Sequence, residues 1–234
     1  MRVLHLTIIL AIIAAVGLVA LAFFDSSPIP ALNEMVWNMK GYGLAKTPDE
    51  ALDRFKKAME ARNYKAAARY LDGDYQVQFK KVAKTSQRMA EAVDNFRHAG
   101  NDRSYISDDV DKLIVDYHLE PFPKTITVKE VKQSESGDTA VALITTEITS
   151  KRVPPSLAQV QLKKKEDIWR IELPLTEVER AHFDWIERYG QDYVNRLDVV
   201  KNEMKTDATT KENVHSALKV QLEQVQKLDQ VKRH

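Results

Sequence analysis

The chain has 234 residues, with 35 basic and 34 acidic side chains, a formal net charge of +1 and no cysteine. The missing thiol excludes disulfides, thiolate catalysis, cysteine-ligated zinc and a lipid-modified cysteine anchor, and the balanced charge gives no basis for a nucleic-acid partner, which needs clustered positive charge. Apolar content of 44%, charged content of 29% and only 7 Gly and 8 Pro fit one folded domain with appendages and not a low-complexity chain.

From Ile8 to Phe24 no charge interrupts the sequence IILAIIAAVGLVALAFF. Counted from Val3, the segment gives about 22 residues or about 33 Å of helix, enough for a hydrocarbon core of about 30 Å. Arg2 precedes it and Asp25 follows, with no basic residue until Lys40. The charge bias therefore places the N-terminus in the cytoplasm and the rest outside it, periplasmic or at the cell surface. The length favours reading residues 1–24 as a retained anchor, with the membrane as partner of Val3–Phe24; the competing reading is a signal peptide. In the second case Ala20-Leu21-Ala22 fits the small-x-small cleavage pattern and the domain is secreted.

Residues 25–45 read as a linker: Ser26, Ser27, Pro28 and Pro30 break helix, and Gly41-Tyr42-Gly43 adds a second flexible point. Between them Leu32, Met35, Val36 and Met39 fall on one helical face beside Trp37, which either sits in the membrane interface or packs on the domain. Thr47-Pro48-Asp49-Glu50 is a helix start, with Thr47 as cap, Pro48 at the first helical position and Glu50 closing a capping box. Leu52, Phe55 and Met59 form its buried stripe. Asn63 ends it, a short helix runs from Tyr64 to Leu71, and Asp72-Gly73-Asp74 turns the chain. A third helix then carries Phe79, Val82, Ser86, Met89, Val93 and Phe96 at three- and four-residue steps to about Gly100. Ser107 caps a fourth, with Val110, Leu113 and Ile114, which stops before Pro121 and Pro123.

After Pro123 the period becomes alternating. Four strands are predicted, with inward sets Ile126 and Val128; Val141, Leu143 and Thr145; Ala158, Val160 and Leu162; and Trp169, Ile171 and Leu173. Turn signals at Ser134–Asp138, Pro154-Pro155 and Lys165–Asp167 favour an antiparallel meander, whose apolar face must be buried against the helices. A helical tail follows over 175–234. Thr176 and Glu179 make a capping box, and Phe183, Ile186, Tyr189 or Gly190, Tyr193, Leu197, Val200 and Met204 continue an apolar stripe. Thr209 with Glu212 starts a last helix with Val214, Leu218, Leu222, Val225 and Leu228. The two tail helices either close as a hairpin across Lys205–Ala208, or the second is a marginal helix ordered by a protein partner or a second copy.

The order of helices then meander over about Thr47 to Pro174 resembles the nuclear transport factor 2-like superfamily, the cystatin-like cone in which a curved sheet wraps N-terminal helices. The resemblance is carried by TPDEALDRFKKAMEARNYKAAARYL, similar to the family's two helices joined by a short break, and by DIWRIELP, similar to its last strand. It implies an α+β domain over 46–174 behind one N-terminal span, a layout similar to VirB8-like tethered modules. The superfamily includes isomerases, dehydratases and inert binding modules, so fold alone does not select among them.

Cone-fold enzymes hold a carboxylate or a His–Asp pair in the pocket between helices and sheet, where burial moves the pKa toward working pH. Asp116 and His118, with Tyr117 between them, are the nearest approach to such a cluster, and Asp94 with His98 makes a second acid–base pair one helical turn apart. Glu179 and His182 have the three-residue spacing of two helical metal ligands, but the second pair that a site requires is missing. Lys80, Lys84 and Arg88 form a basic line that could face anionic headgroups. No motif calls for a cofactor or a metal. The expectation is a non-catalytic, membrane-tethered extracytoplasmic binding or assembly module; the alternative is an exported cone-fold enzyme of isomerase or dehydratase type, acting on a small apolar molecule through Asp116 or His118.

Overall fold

A computed structural model describes residues 30–123, 125–147, 156–206 and 209–230. Val3–Phe24, the Pro154-Pro155 turn and Ala208 lie outside these residues; among the described ones no helix is long and apolar enough to cross a membrane. The described chain is α+β, with seven α-helices and a four-stranded antiparallel sheet in the order β1-β2-β3-β4. In chain order the elements are α1 (Pro30–Met39), α2 (Pro48–Glu60), α3 (Tyr64–Ala67) running into a 3-10 turn (Ala68–Tyr70), α4 (Gly73–Asn101), α5 (Asp108–Tyr117), β1 (Thr125–Gln133), β2 (Thr139–Glu147), β3 (Ser156–Lys165), β4 (Ile168–Glu172), α6 (Glu177–Glu203) and α7 (Lys211–Gln230).

The helix starts follow local chemistry. The Thr47 hydroxyl accepts from Glu50 N at 3.1 Å, Asn63 Oδ1 from Ala66 N at 3.1 Å, and Ser107 Oγ from Val110 N at 3.4 Å; each satisfies a first-turn donor that has no partner inside the helix. Thr176 and Glu179 form the full capping box. Two details differ from expectation. The Glu50 carboxylate turns to Lys46 N at 2.7 Å and so caps one residue outside the box. The last helix is capped by Thr210, which accepts from Asn213 N at 3.3 Å, because the Thr209 hydroxyl already donates to Glu203 O across the preceding turn.

The expected phase of β2 is corrected. Ala140 and Ala142 face the core, while Val141 is 36% exposed. The register decides this: Ala142 stands opposite Val131 on one side and Val160 on the other, and Ala140 stands opposite Leu162, which in turn faces Ile171. Val141 instead joins Lys132 and Gln161 on the outer face. A shift between Val128 and Glu130 resets the alternation of β1, so that Ile126, Val128 and Val131 all lean on the core. The phases of β3 and β4 stand as expected, with Val160, Leu162, Trp169 and Ile171 buried. The outer edge of β4 is covered by flanking chain: Trp169 N donates to Ala45 O at 3.0 Å and Asp72 N to Ile171 O at 3.1 Å, which leaves no open ladder there.

Two cores result. One gathers Trp37, Leu52, Phe55, Tyr70, Phe79, Phe122 and the inner face of the sheet, including Trp169. The other lies between the second halves of α4 and α6, α5 and α7. The long helices α4 and α6, of 29 and 27 residues, run through both. They come close at Gly190, where an added Cβ would collide with Thr85 Cγ2. Helix α1, inside the segment read as a linker, packs on the domain through Val36 and Trp37, whereas Met35 and Met39 point outward. Arg69 holds it there, with its guanidinium 4.8 Å from the centroid of the Trp37 ring and 2.5 Å from Glu34 Oε2. The stripe of α7 is also spent inside the chain. Val214, Leu218, Leu222 and Val225 are buried, and α7 packs on α5 and α6, so the contacts that cover this stripe are intramolecular.

Candidate functional site

Helix α5 ends at Tyr117, where the His118 N–H still donates to Ile114 O and the final carbonyls need donors from outside the helix. The Tyr193 hydroxyl donates to Ile114 O at 3.1 Å and the Tyr189 hydroxyl to Tyr117 O at 2.6 Å, so α6 fixes the point where the chain leaves α5. His118 follows in extended backbone, its ring edge-on to Tyr193 at 6.0 Å. Two residues on, the Glu120 carboxylate accepts from the Tyr64 phenol at 3.1 Å and pairs with Arg62 at 2.9 Å. Burial and the Glu120 charge push the Tyr64 phenol well above its usual range, and Ser86 hydrogen-bonds to the same hydroxyl.

These residues form the floor of a groove of about 460 Å³ between the α2–α3 turn, α4 and the segment after α5. Its rim carries Arg62, Lys65, Lys80 and Lys84, four cations against the single carboxylate of Glu120. Arg62 is held at φ 54°, at the C-terminus of α2, where the left-handed conformation normally selects glycine. A second groove of about 630 Å³, between α4 and α6, is lined by Arg88, Arg188, Asp184 and Glu187, so its charges cancel. The predicted basic line is thus divided, as four-residue steps drift round a helix of 3.6 residues per turn: Lys80 and Lys84 face the first groove and Arg88 the second.

The predicted catalytic pair is not brought together. His118 lines the groove, but Asp116 is exposed on α5 and does not. Burial holds the His118 imidazole below its ordinary pKa, despite the opposing pull of Glu120, so it is neutral at pH 7. Its Nδ1 is buried without a hydrogen-bond partner among the described residues. Under the sheet Tyr64, Phe79 and Phe122 pack edge-on or tilted against one another, with ring centroids 4.5 to 6.4 Å apart. Asp94 and His98 both lie on the exposed face of α4. The Glu179 carboxylate is occupied by the capping box, accepting from Thr176 N at 2.8 Å, while His182 stacks on Trp185 at 5.7 Å. No cluster of three potential metal ligands exists among the described residues. Sequence spacing could not reveal the groove, since Arg62 and Glu120 are far apart in the chain, although the basic line of Lys80, Lys84 and Arg88 was visible as a signal. In comparisons with known proteins, no family model, no curated protein and no solved structure matches the chain.

Proposed function

We propose that this chain is a non-catalytic binding or assembly module, held at a membrane by Val3–Phe24 with its folded domain outside the cytoplasm. The observation that carries this reading is the separation of Asp116 from His118, together with an inner space filled by Phe55, Phe79, Phe122 and Trp169. An enzyme of the alternative class needs an oriented base facing an enclosed apolar chamber. The nuclear transport factor 2-like cone remains our reading of the domain. It is supported by α2, which packs on β1 and β4, the two edge strands, as a helix does when a sheet curves round it. A protein partner or second copy would dock on the outward faces of the C-terminal helices, where Val199 and Val220 are exposed.

The absence of cysteine provides the test of placement: a single cysteine introduced at exposed Lys81 in the full chain should react with a membrane-impermeant maleimide in intact cells, and labelling only after lysis would overturn the proposed topology. For function, the substitution Asp116→Asn, at an exposed position outside the groove, should still complement a strain lacking the gene. Failure of this folded variant to complement would return the enzyme reading.

A further inference from the structure

We propose that the groove bounded by Arg62, Lys80 and Lys84 is a binding site for a phosphate-bearing anion, a role that deepens the binding-module reading and rests on it. Three observations converge. The chain as a whole is close to neutral, yet four cations meet at this one groove. The single carboxylate among them, Glu120, pairs with Arg62 and accepts from the Tyr64 phenol, so it offsets Arg62 and not Lys80 or Lys84. Lys80 and Lys84 have no ion pair among the described residues and project from successive turns of α4 into the same space.

The backbone at Arg62 adds a separate reason. A helix end in the left-handed conformation is most stable with glycine, and a long side chain there carries strain. Arginine at this position places a planar, always-charged donor fork over the groove, opposite the two lysines. Cations on two walls suit a ligand with oxygens on several sides, as the tetrahedral phosphate group has in a monoester or a diester; a carboxylate offers two oxygens in one plane. His118 contributes a neutral wall, its buried Nδ1 lying out of reach of a ligand. The second groove, with two cations and two carboxylates, lacks the imbalance that would draw an anion.

The phosphate could come from a soluble monoester or from a lipid headgroup, and two probes separate these sources. The full chain in a neutral detergent is titrated calorimetrically with inorganic phosphate, and separately with glycerophosphoglycerol, the water-soluble headgroup diester of an anionic lipid. Saturable binding of the first alone assigns a free phosphate, and binding of the second assigns a headgroup. In either case Lys80→Gln with Lys84→Gln should weaken binding about tenfold or more, as loss of two charge-assisted contacts requires. Lys81→Gln, on an exposed position outside the groove, should leave affinity unchanged. Binding of neither probe, or equal binding by the doubly substituted chain with its melting temperature intact, overturns the proposal. Such a result removes the phosphate site alone, because the tethered-module reading is judged separately by maleimide labelling and complementation.

Discussion

The core beneath the sheet and the core between the C-terminal helices bury their apolar surface with different material. The first is aromatic and is drawn from the whole chain, with Trp37, Phe79, Phe122, Trp169 and Phe183 meeting in one cluster. The second is mostly aliphatic and comes from helices adjacent in sequence, with Leu197, Val200, Met204, Val214, Leu218 and Leu222 packed across one turn, and α5 and the end of α4 laid against them. Contacts distant in sequence cost more loop-closure entropy before they return any burial. The sheet core thus sets seven aromatic side chains among eight alanines, whereas the helical core is built chiefly of Val, Leu and Met.

The sharpest way to break this comparison is Trp169→Ala. The indole is 2% exposed and sits on the closing strand, so its truncation should destabilise the chain by about 3–5 kcal/mol, read from the midpoint of denaturant unfolding. A loss below about 1 kcal/mol would show that the sheet core does not depend on it. Leu218→Ala, in the helical core, should cost about 2–4 kcal/mol by leaving a cavity among Leu197, Leu222 and their neighbours. If α4 and α6 couple the two cores, both substitutions lower the same single transition. A second, earlier transition in the Leu218 variant would instead make the C-terminal helices a unit of their own.

Gly190→Ala probes the coupling itself. The added methyl meets Thr85 and Met89 on α4, and overpacking of this kind costs about 1–3 kcal/mol; an unchanged melting temperature would mean that the helices separate freely. The smallest expected effect is electrostatic and depends on pH. The half-buried His118 titrates below its ordinary value, chiefly through desolvation, with Glu120 opposing and Arg62 and Arg97 assisting; desolvation shifts His182 the same way. The unfolded chain therefore takes up protons first as pH falls. Stability contributed by the neutral rings is complete above the unfolded value and is lost as pH drops through 6.5 toward the folded ones. Melting temperature should decline over that window, and His118→Gln should flatten the decline; an identical slope in the variant would place the dependence elsewhere.

Much of the helical architecture was legible because caps and periodicity are local. Thr47, Ser107 and Thr176 mark helix starts by hydrogen bonds that span three residues, and the stripe of α6 through Phe183, Ile186, Tyr193, Leu197 and Val200 is buried as its spacing predicts. The existence of four strands and their antiparallel order were likewise readable from alternation and turn signals. Tertiary structure alone decided the rest. Along β2 both alternating sets are apolar, Ala140 and Ala142 against Val141 and Leu143, so pairing with β1 and β3 had to select the inner face, and it selected the smaller side chains. The candidate site follows the same rule. Arg62, Lys80, Lys84 and Glu120 belong to three separate segments, and only the docking of α5 onto α6 through Tyr189 and Tyr193 brings Glu120 to the cations while leaving Asp116 on the surface. A pattern within one segment cannot encode a juxtaposition that depends on how segments pack.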